Sequence, residues 1–298
     1  MSFRSSVAAA SGPTSLFVLL WSSGALFAKW GLAYASAFTF LSLRFALALA
    51  VLSVIALRRG RWLPLPGTRK QVALTGLVLV GCYSVFYLLA LAHGMTPGVL
   101  ATVMGVQPLL TLALTERPLS LRRIAGLLLA LAGLALVVFD SLLAARLGLA
   151  GVLAALAALA AMTWGTLLQK RLQQAPLDVL PLQYAVALAL CLLALPFAEV
   201  RVQWSAGLAL SVGWLALVIS VAATLLLYRL IQAGNLVNVT SLFYLVPGGT
   251  ALLDWAVLGN AMAPAAIAGL GAIVGGLLVA MIINATASPS RCRRCSRS

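Results

Sequence analysis

The sequence predicts an all-α integral membrane protein. Ten transmembrane helices would form two inverted five-helix repeats, with both termini cytoplasmic. Three observations carry that expectation. Of 298 residues, 63% are hydrophobic and 8% charged, where a soluble domain has roughly 45–50% and about 25%. Ten apolar runs each approach the roughly 20 residues that a bilayer-crossing helix needs. A motif in the first half of the chain also recurs, with its neighbours in the same order, in the second.

The 20 Lys and Arg against 5 Asp and Glu give a net charge of +15, with too few charges in all to cover a globule's surface. A cytosolic enzyme, a secreted disulfide scaffold and a disordered chain are therefore disfavoured. Nucleic acid is not an expected partner either, because that needs a clustered basic face on a soluble module. Here the cations fall in gaps between apolar runs, and the expected partners are a small-molecule substrate and the lipid bilayer. Oligomeric state does not follow from the sequence; a monomer is consistent with it.

The runs are 14–32, 37–57, 71–92, 96–115, 121–139, 149–169, 179–198, 207–228, 236–258 and 264–284. The first ends before Ala33-Tyr34-Ala35, which resembles a signal-peptide cleavage site, but Trp21 and Lys29 within it argue that it is retained. Pro97 and Pro264 stand in the first turn of the fourth and tenth runs, where a missing N–H costs nothing. Pro64, Pro66, Pro118 and Pro176 fall in connections. Those connections leave no room for a soluble domain. The chain divides into a cytoplasmic segment 1–13, a first repeat 14–139, a second repeat 149–284 and a basic tail 285–298.

Loop charge sets the orientation. One face would carry Arg4, Arg58, Arg59, Arg61, Arg69, Lys70, Arg117, Arg122, Arg123, Lys170, Arg171, Arg229, Arg291, Arg293, Arg294 and Arg297. The other would carry Arg146 and Arg201. Sixteen against two is a strong positive-inside signal and places both termini in the cytoplasm. The expected location is the inner (cytoplasmic) membrane of a bacterium.

The repeat rests on IAGLLLALAGLALVV at 124–138 and IAGLGAIVGGLLVAM at 267–281. Upstream, Gln107-Pro108 matches Val246-Pro247, and Trp21-Ser22 matches Trp164-Gly165. The proline-to-IAGL spacing is 16 residues in one half and 20 in the other, a difference of about one helical turn that preserves the face. Units of five helices, an odd number, take opposite orientations in a membrane. Inverted repeats of this kind are an architecture of secondary transporters, with a midplane site between the repeats and broken helices beside it. Pro108, Pro247 and Gly248 are the expected hinges, since each proline removes a ladder bond.

The chain resembles the EamA-type ten-helix exporters of the drug/metabolite transporter superfamily over about residues 14–284. The resemblance is carried by LLWSSGALFAKWGL, by Arg44 within LRFALA, and by YLLALAHGMTPGVLATVMGVQPLLTLALTERPLSLRRIAGLLLALAGLALV. In the last stretch a proline, Glu116, the basic turn Arg122-Arg123 and a Gly-rich helix follow the family's order. The glutamate position of the second half is Asn260, a departure from the pattern. The resemblance implies export or facilitated passage of small metabolites, commonly amino acids, and no enzymatic activity.

Ionisable residues inside spans are costly and therefore mark function. Lys29, Arg44 and Asp254 fall in one depth band on the outer side. They fit an electropositive vestibule for a carboxylate, with Asp254 as counter-ion or proton carrier; an Arg44–Asp254 pair locking the halves, with Lys29 snorkelling, fits equally. Trp21 has Gly24, Ala25 and Ala28 on its face, and Trp164 has Ala160, Ala161 and Gly165 nearby. Tyr83 and Tyr87 share a helix face, and Tyr244 precedes Pro247 by one turn. With Gln107 and Asn238 from matching halves, these residues and Arg44 form the expected substrate-binding set. Gly94-x-x-x-Gly98 and Gly271-x-x-x-Gly275 read as close-packing faces.

No Gly-Lys pair exists for a phosphate loop, no G-x-S-x-G elbow occurs, and His93 stands alone. Cys292-x-x-Cys295 lacks the four ligands of a structural zinc site. No metal or cofactor is expected. Facilitated diffusion, exchange and proton antiport all remain open. Alternatives are a carrier for drugs, nucleotide-sugars or sugar-phosphates, the last two disfavoured because only Lys29 and Arg44 lie within spans, and a non-transporting membrane subunit.

Overall fold

The structure is a computed structural model that describes residues 3–143, 148–258 and 263–286. At 3–11, 253–258 and 281–286, and at Ser141, it describes the backbone alone. Ten helical rods dominate the described chain. They are α1 (Phe3–Tyr34), α2 (Ala37–Arg58), α3 (Arg69–Ala92), α4 (Pro97–Thr115), α5 (Leu121–Val137), α6 (Leu149–Arg171), α7 (Pro176–Phe197), α8 (Ala206–Ala233), α9 (residues 236–258) and α10 (Pro264–Thr286). A rod falls on each expected run. The largest shift is at α1, which begins at Phe3; α7 begins at Pro176, which is its first helical residue and not part of the connection. By length and composition α1–α4 and α6–α8 can cross a membrane, and 236–252 and 264–280 are shorter apolar helices.

Hydrogen bonds between connections sort the rods' ends. At one end Gln174 Nε2 donates to Thr68 Oγ1 at 2.9 Å, and Arg59 pairs with Asp178 at 3.2 Å. Lys170 Nζ there donates to the carbonyls of Ile231, Gln232 and Gly234. At the other end Ser36 N–H donates to the Arg201 carbonyl at 2.9 Å, and Gln203 N–H to that of Tyr34 at 2.7 Å. The connections α2–α3, α4–α5, α6–α7 and α8–α9 therefore share one end. Their arginines and lysines make it the basic end.

The two halves of the chain meet along matched helices. Gly126 and Gly133 of α5 lie against Gly276 and Gly269 of α10: a Cβ on either α5 glycine would come within 2.6 Å of the facing carbonyl oxygen. The pairing makes the two helices antiparallel. In the aligned motifs Gly126 corresponds to Gly269 and Gly133 to Gly276, so one contact is the image of the other and an approximate two-fold axis passes between the helices. A second pair repeats the pattern. LSLRFALALA at 41–50 in α2 aligns with LPLQYAVALA at 180–189 in α7, and the matched rings of Phe45 and Tyr184 meet at 5.7 Å.

Three of the four glycines expected to make close contacts do not. Nothing lies within 4 Å of a Cβ built at Gly94, Gly271 or Gly275. Gly94, at φ 84°, ends α3 in the left-handed region. The physical reason is spacing. Two helices lying side by side for several turns return to the same face every seven residues, and the glycine pairs in α5 and α10 are seven apart.

Four rods are irregular at mid-length, the third and fourth of each half. In α3 and α8, residues 76–82 and 214–223 wind in the wider π form. In α4 the helix breaks at Gly105-Val106, and in α9 a 3₁₀ turn covers Leu242–Tyr244. Pro108 and Pro247 sit just after the last two. Each lacks the N–H that would bond the carbonyl four residues back, and so loosens the turn before it.

The glycine seam predicts a large stability difference between neighbouring positions. Gly133→Ala forces a methyl into backbone and should cost about 1–3 kcal/mol, read as a lower thermal unfolding midpoint in detergent. Gly271→Ala, facing open space, should leave the midpoint unchanged or raise it.

Candidate functional site: a central cavity

The four irregular rods surround a cavity of about 380 Å³. Every rod from α1 to α9 contributes to its wall, and no described residue of α10 does. The residues it takes from α3 (Leu79 to Leu88), α4 (Pro97 to Gln107) and α5 (Val137 and Val138) run from mid-length towards the end opposite the basic one, while α8 lines it from Leu215 to Tyr228, deeper towards the basic end. The cavity thus reaches towards one end and is floored against the other.

Its wall is aromatic and apolar. Trp21 meets Phe243 edge-on at 5.4 Å, and Phe17 packs behind both at 5.2 and 5.6 Å. Tyr83 and Tyr87 lie 5.7 Å apart along α3. Tyr184 and Tyr228 complete the wall, each at most 2% exposed. Sequence reasoning passed over these two, though Tyr184 aligns with Phe45 beside Arg44 and was legible from that repeat.

Among the described lining residues, Arg44 is the sole formal charge. Its Nε donates to Ser220 Oγ at 2.9 Å, and its guanidinium carbon lies 5.7 Å from the Phe45 ring. Tyr184 supports the same turn of α8 by donating to the Ser220 carbonyl at 2.9 Å. No described carboxylate lies in salt-bridge range of Arg44. Gln183, the residue that matches Arg44 in the second half, is committed on both sides. Its Oε1 accepts from Tyr228 at 2.7 Å and its Nε2 donates to Gln169 at 2.9 Å.

Of the residues the sequence singled out, Trp21, Arg44, Tyr83, Tyr87, Gln107 and Pro247 come together in this wall. Trp164 does not: it is 56% exposed. Its neighbours Thr163 and Gly165 take the inward side, Gly165 with its Cα against Leu79, and the helical phase turns the indole out. Tyr244 is fully buried, but in a separate core with Leu127, Leu134 and Ile273 of α5 and α10. The 3₁₀ turn at 242–244 gives the cavity Phe243 instead. Asn238 lies at the basic end, where its Oδ1 accepts from Arg123. Pro108 is buried outside the wall, and Gly248 packs on Leu270 of α10. Lys29 is exposed and lines a separate depression of about 660 Å³ with His93, Glu199 and Arg201. Asp254 falls on α9, and its side chain, like all of Asn260, Arg146 and the tail cysteines, lies outside the described residues.

The floor is reinforced by a polar cluster at the basic end that joins the two halves. Arg123, 4% exposed, pairs with Glu116 at 2.5 Å and donates to Asn235 Oδ1 at 3.0 Å as well as to Asn238. Asn235 Nδ2 returns a bond to Glu116 at 3.0 Å, and its Oδ1 caps the first turn of α9. Nearer the cavity, the Ser22 hydroxyl of α1 lies between two carbonyls, 2.6 Å from that of Val18 in its own helix and 3.0 Å from that of Val246, immediately before the α9 proline. Among the described residues no three His, Cys, Asp or Glu gather as a metal site would need.

A ten-rod helical bundle with a cavity between its halves is the form of a membrane carrier. The model of the EamA-like transporter family matches twice, over residues 14–139 and 149–282, and the chain belongs to that family. It is a multi-pass membrane protein of a transporter family, not of an enzyme family. A solved crystal structure shares the fold with a TM-score of 0.78 at 24% identity, covering 94% of this chain and 99% of the other. No curated protein matches.

Tyr244 offers a test of which aromatics face the cavity. Its hydroxyl is buried without a partner among the described residues, a cost of about 1–3 kcal/mol. Tyr244→Phe should keep the protein folded, hold or raise its unfolding midpoint, and leave solute binding intact. Loss of binding in that variant would place the hydroxyl in the site.

Proposed function

We propose that the chain is a secondary transporter that exports small organic metabolites, amino acids first among them, across the cytoplasmic membrane by alternating access. The observation that carries this reading is one aromatic cavity with a single guanidinium, walled by both halves and flanked by their irregular third and fourth rods. All ten rods cross the bilayer in this reading, both termini are cytoplasmic, and the repeats are inverted. The antiparallel, symmetric contacts of α5 with α10 support the inversion. The gathering of basic connections at one end supports the orientation. Trp21, Arg44, Tyr83, Tyr87 and Gln107 bind solute, and the breaks at 105–106 and 242–244 are the hinges.

Access alternates when the half-helices beyond those breaks separate at the basic end. The Glu116–Arg123–Asn235–Asn238 cluster is the latch that holds them. Its cation is not repeated in the other half, where Ala266 stands at the position of Arg123. The two gates are therefore unequal, and the state closed at the cytoplasmic side is favoured. A buried ion pair stripped of one partner leaves an uncompensated charge, so Glu116→Gln opens the latch.

Counterflow of radiolabelled phenylalanine, methionine and threonine into proteoliposomes tests the reading. Saturable flux is expected, reduced at least about tenfold in Trp21→Ala and Arg44→Gln and retained in Trp164→Ala. Flux with none of these solutes, nor with a broad metabolite panel, overturns it. Glu116→Gln should raise thiol labelling of a cysteine placed at Thr111 from the cytoplasmic side by several-fold, with unchanged labelling from outside.

A further inference from the structure

Resting on the transporter reading, we propose that the cavity recognises its solute by one carboxylate and an apolar or aromatic body, and does not read an α-ammonium by charge. The substrate class is then aromatic and branched monocarboxylates, with amino acids as members of it and not its definition.

The argument starts from the charge count of the wall. Arg44 is the lone formal charge among the described lining residues, and no Asp or Glu is among them. Its Nε is already spent on Ser220 Oγ, and no described residue accepts from either terminal nitrogen. A guanidinium anchored at Nε still presents two parallel N–H donors, a fork that matches one carboxylate. An ammonium entering the same cavity finds hydroxyls of Tyr83 and Tyr87 and the Gln107 amide, which accept hydrogen bonds but supply no opposite charge. Losing water without a counter-charge is unfavourable for an ammonium.

The repeat sharpens the point. The position of Arg44 is filled in the second half by the uncharged Gln183, whose amide oxygen accepts from Tyr228 and whose nitrogen donates to Gln169. The cavity therefore has one anion-binding point where a symmetric carrier would have two, and a second acidic group on the solute has no cation to meet. The body of the solute has a matching surface in Trp21, Phe243, Tyr83 and Tyr87.

Competition against radiolabelled phenylalanine on the purified protein tests this directly. 3-Phenylpropanoate, which lacks the ammonium, should compete within about threefold of phenylalanine. 2-Phenylethylamine, which lacks the carboxylate, and phenylsuccinate, which carries two, should be weaker by at least about tenfold. Arg44→Gln should abolish direct binding of radiolabelled phenylalanine and of radiolabelled 3-phenylpropanoate, and Arg44→Lys, which keeps a cation but loses the fork, should weaken both alike. Phenylalanine outcompeting 3-phenylpropanoate by tenfold or more overturns the inference; if that preference vanishes in Asp254→Asn, the ammonium belongs to Asp254. Competition by 2-phenylethylamine equal to phenylalanine also overturns it. Should phenylalanine itself fail to bind, the amino-acid reading falls while this one is still decided by binding of radiolabelled 3-phenylpropanoate. Binding lost in Arg44→Gln supports it, and no binding overturns it.

Discussion

Every backbone amide in an apolar surrounding needs a partner within its own helix, and the rest of the architecture follows from that constraint. It makes long uninterrupted rods the default and confines irregular backbone to places where side chains or a cavity can meet the freed groups. The breaks in α4 and α9 and the wide turns in α3 and α8 all border the cavity. Beside the proline of α9, the Ser22 hydroxyl of α1 comes within 3.0 Å of the Val246 carbonyl. The irregularities are thus concentrated where two halves of the chain face each other across open space.

The same economy governs the charges. Side chains that could not be left alone in an apolar interior are paired, capped or moved to the ends. Lys170 closes three carbonyls around the end of α8, and Arg123 is held by a carboxylate and two amides. Both sit at the basic end, so the groups that fasten the two halves together are polar there. The contacts that hold the halves together along the axis are instead backbone against backbone, at the glycines of α5 and α10. A rigid seam and a polar, separable clasp are different kinds of bond, suited to a part that stays fixed and a part that moves. Among the described residues Arg44 is the charge that faces the open space of the cavity.

The symmetry between the halves is approximate where it matters most. Arg44 answers to Gln183, Phe45 to Tyr184, and Arg123 to Ala266. Each substitution removes a charge or adds a hydroxyl on one side only. The frame is therefore shared by both repeats, while the cavity's guanidinium and the cation of the clasp both come from the first.

The helices, their order and the family were legible in the sequence alone, because apolar length, loop charge and the recurring IAGL motif are properties of the chain read in one dimension. Arg44, Trp21 and the Tyr83–Tyr87 pair could be named for the same reason: a charge or a small-residue face within an apolar run is visible without a fold. Tertiary structure decided which way side chains turn. Trp164 is the sequence mate of Trp21 yet faces outward, Tyr244 yields its place to Phe243, and Asn238 is taken by Arg123. A residue's direction depends on the helical phase accumulated through each 3₁₀ turn and wide turn, and on which neighbour packs against it. Neither the phase nor the neighbour is written in composition or spacing, so the cavity's membership could only be read once the rods were assembled.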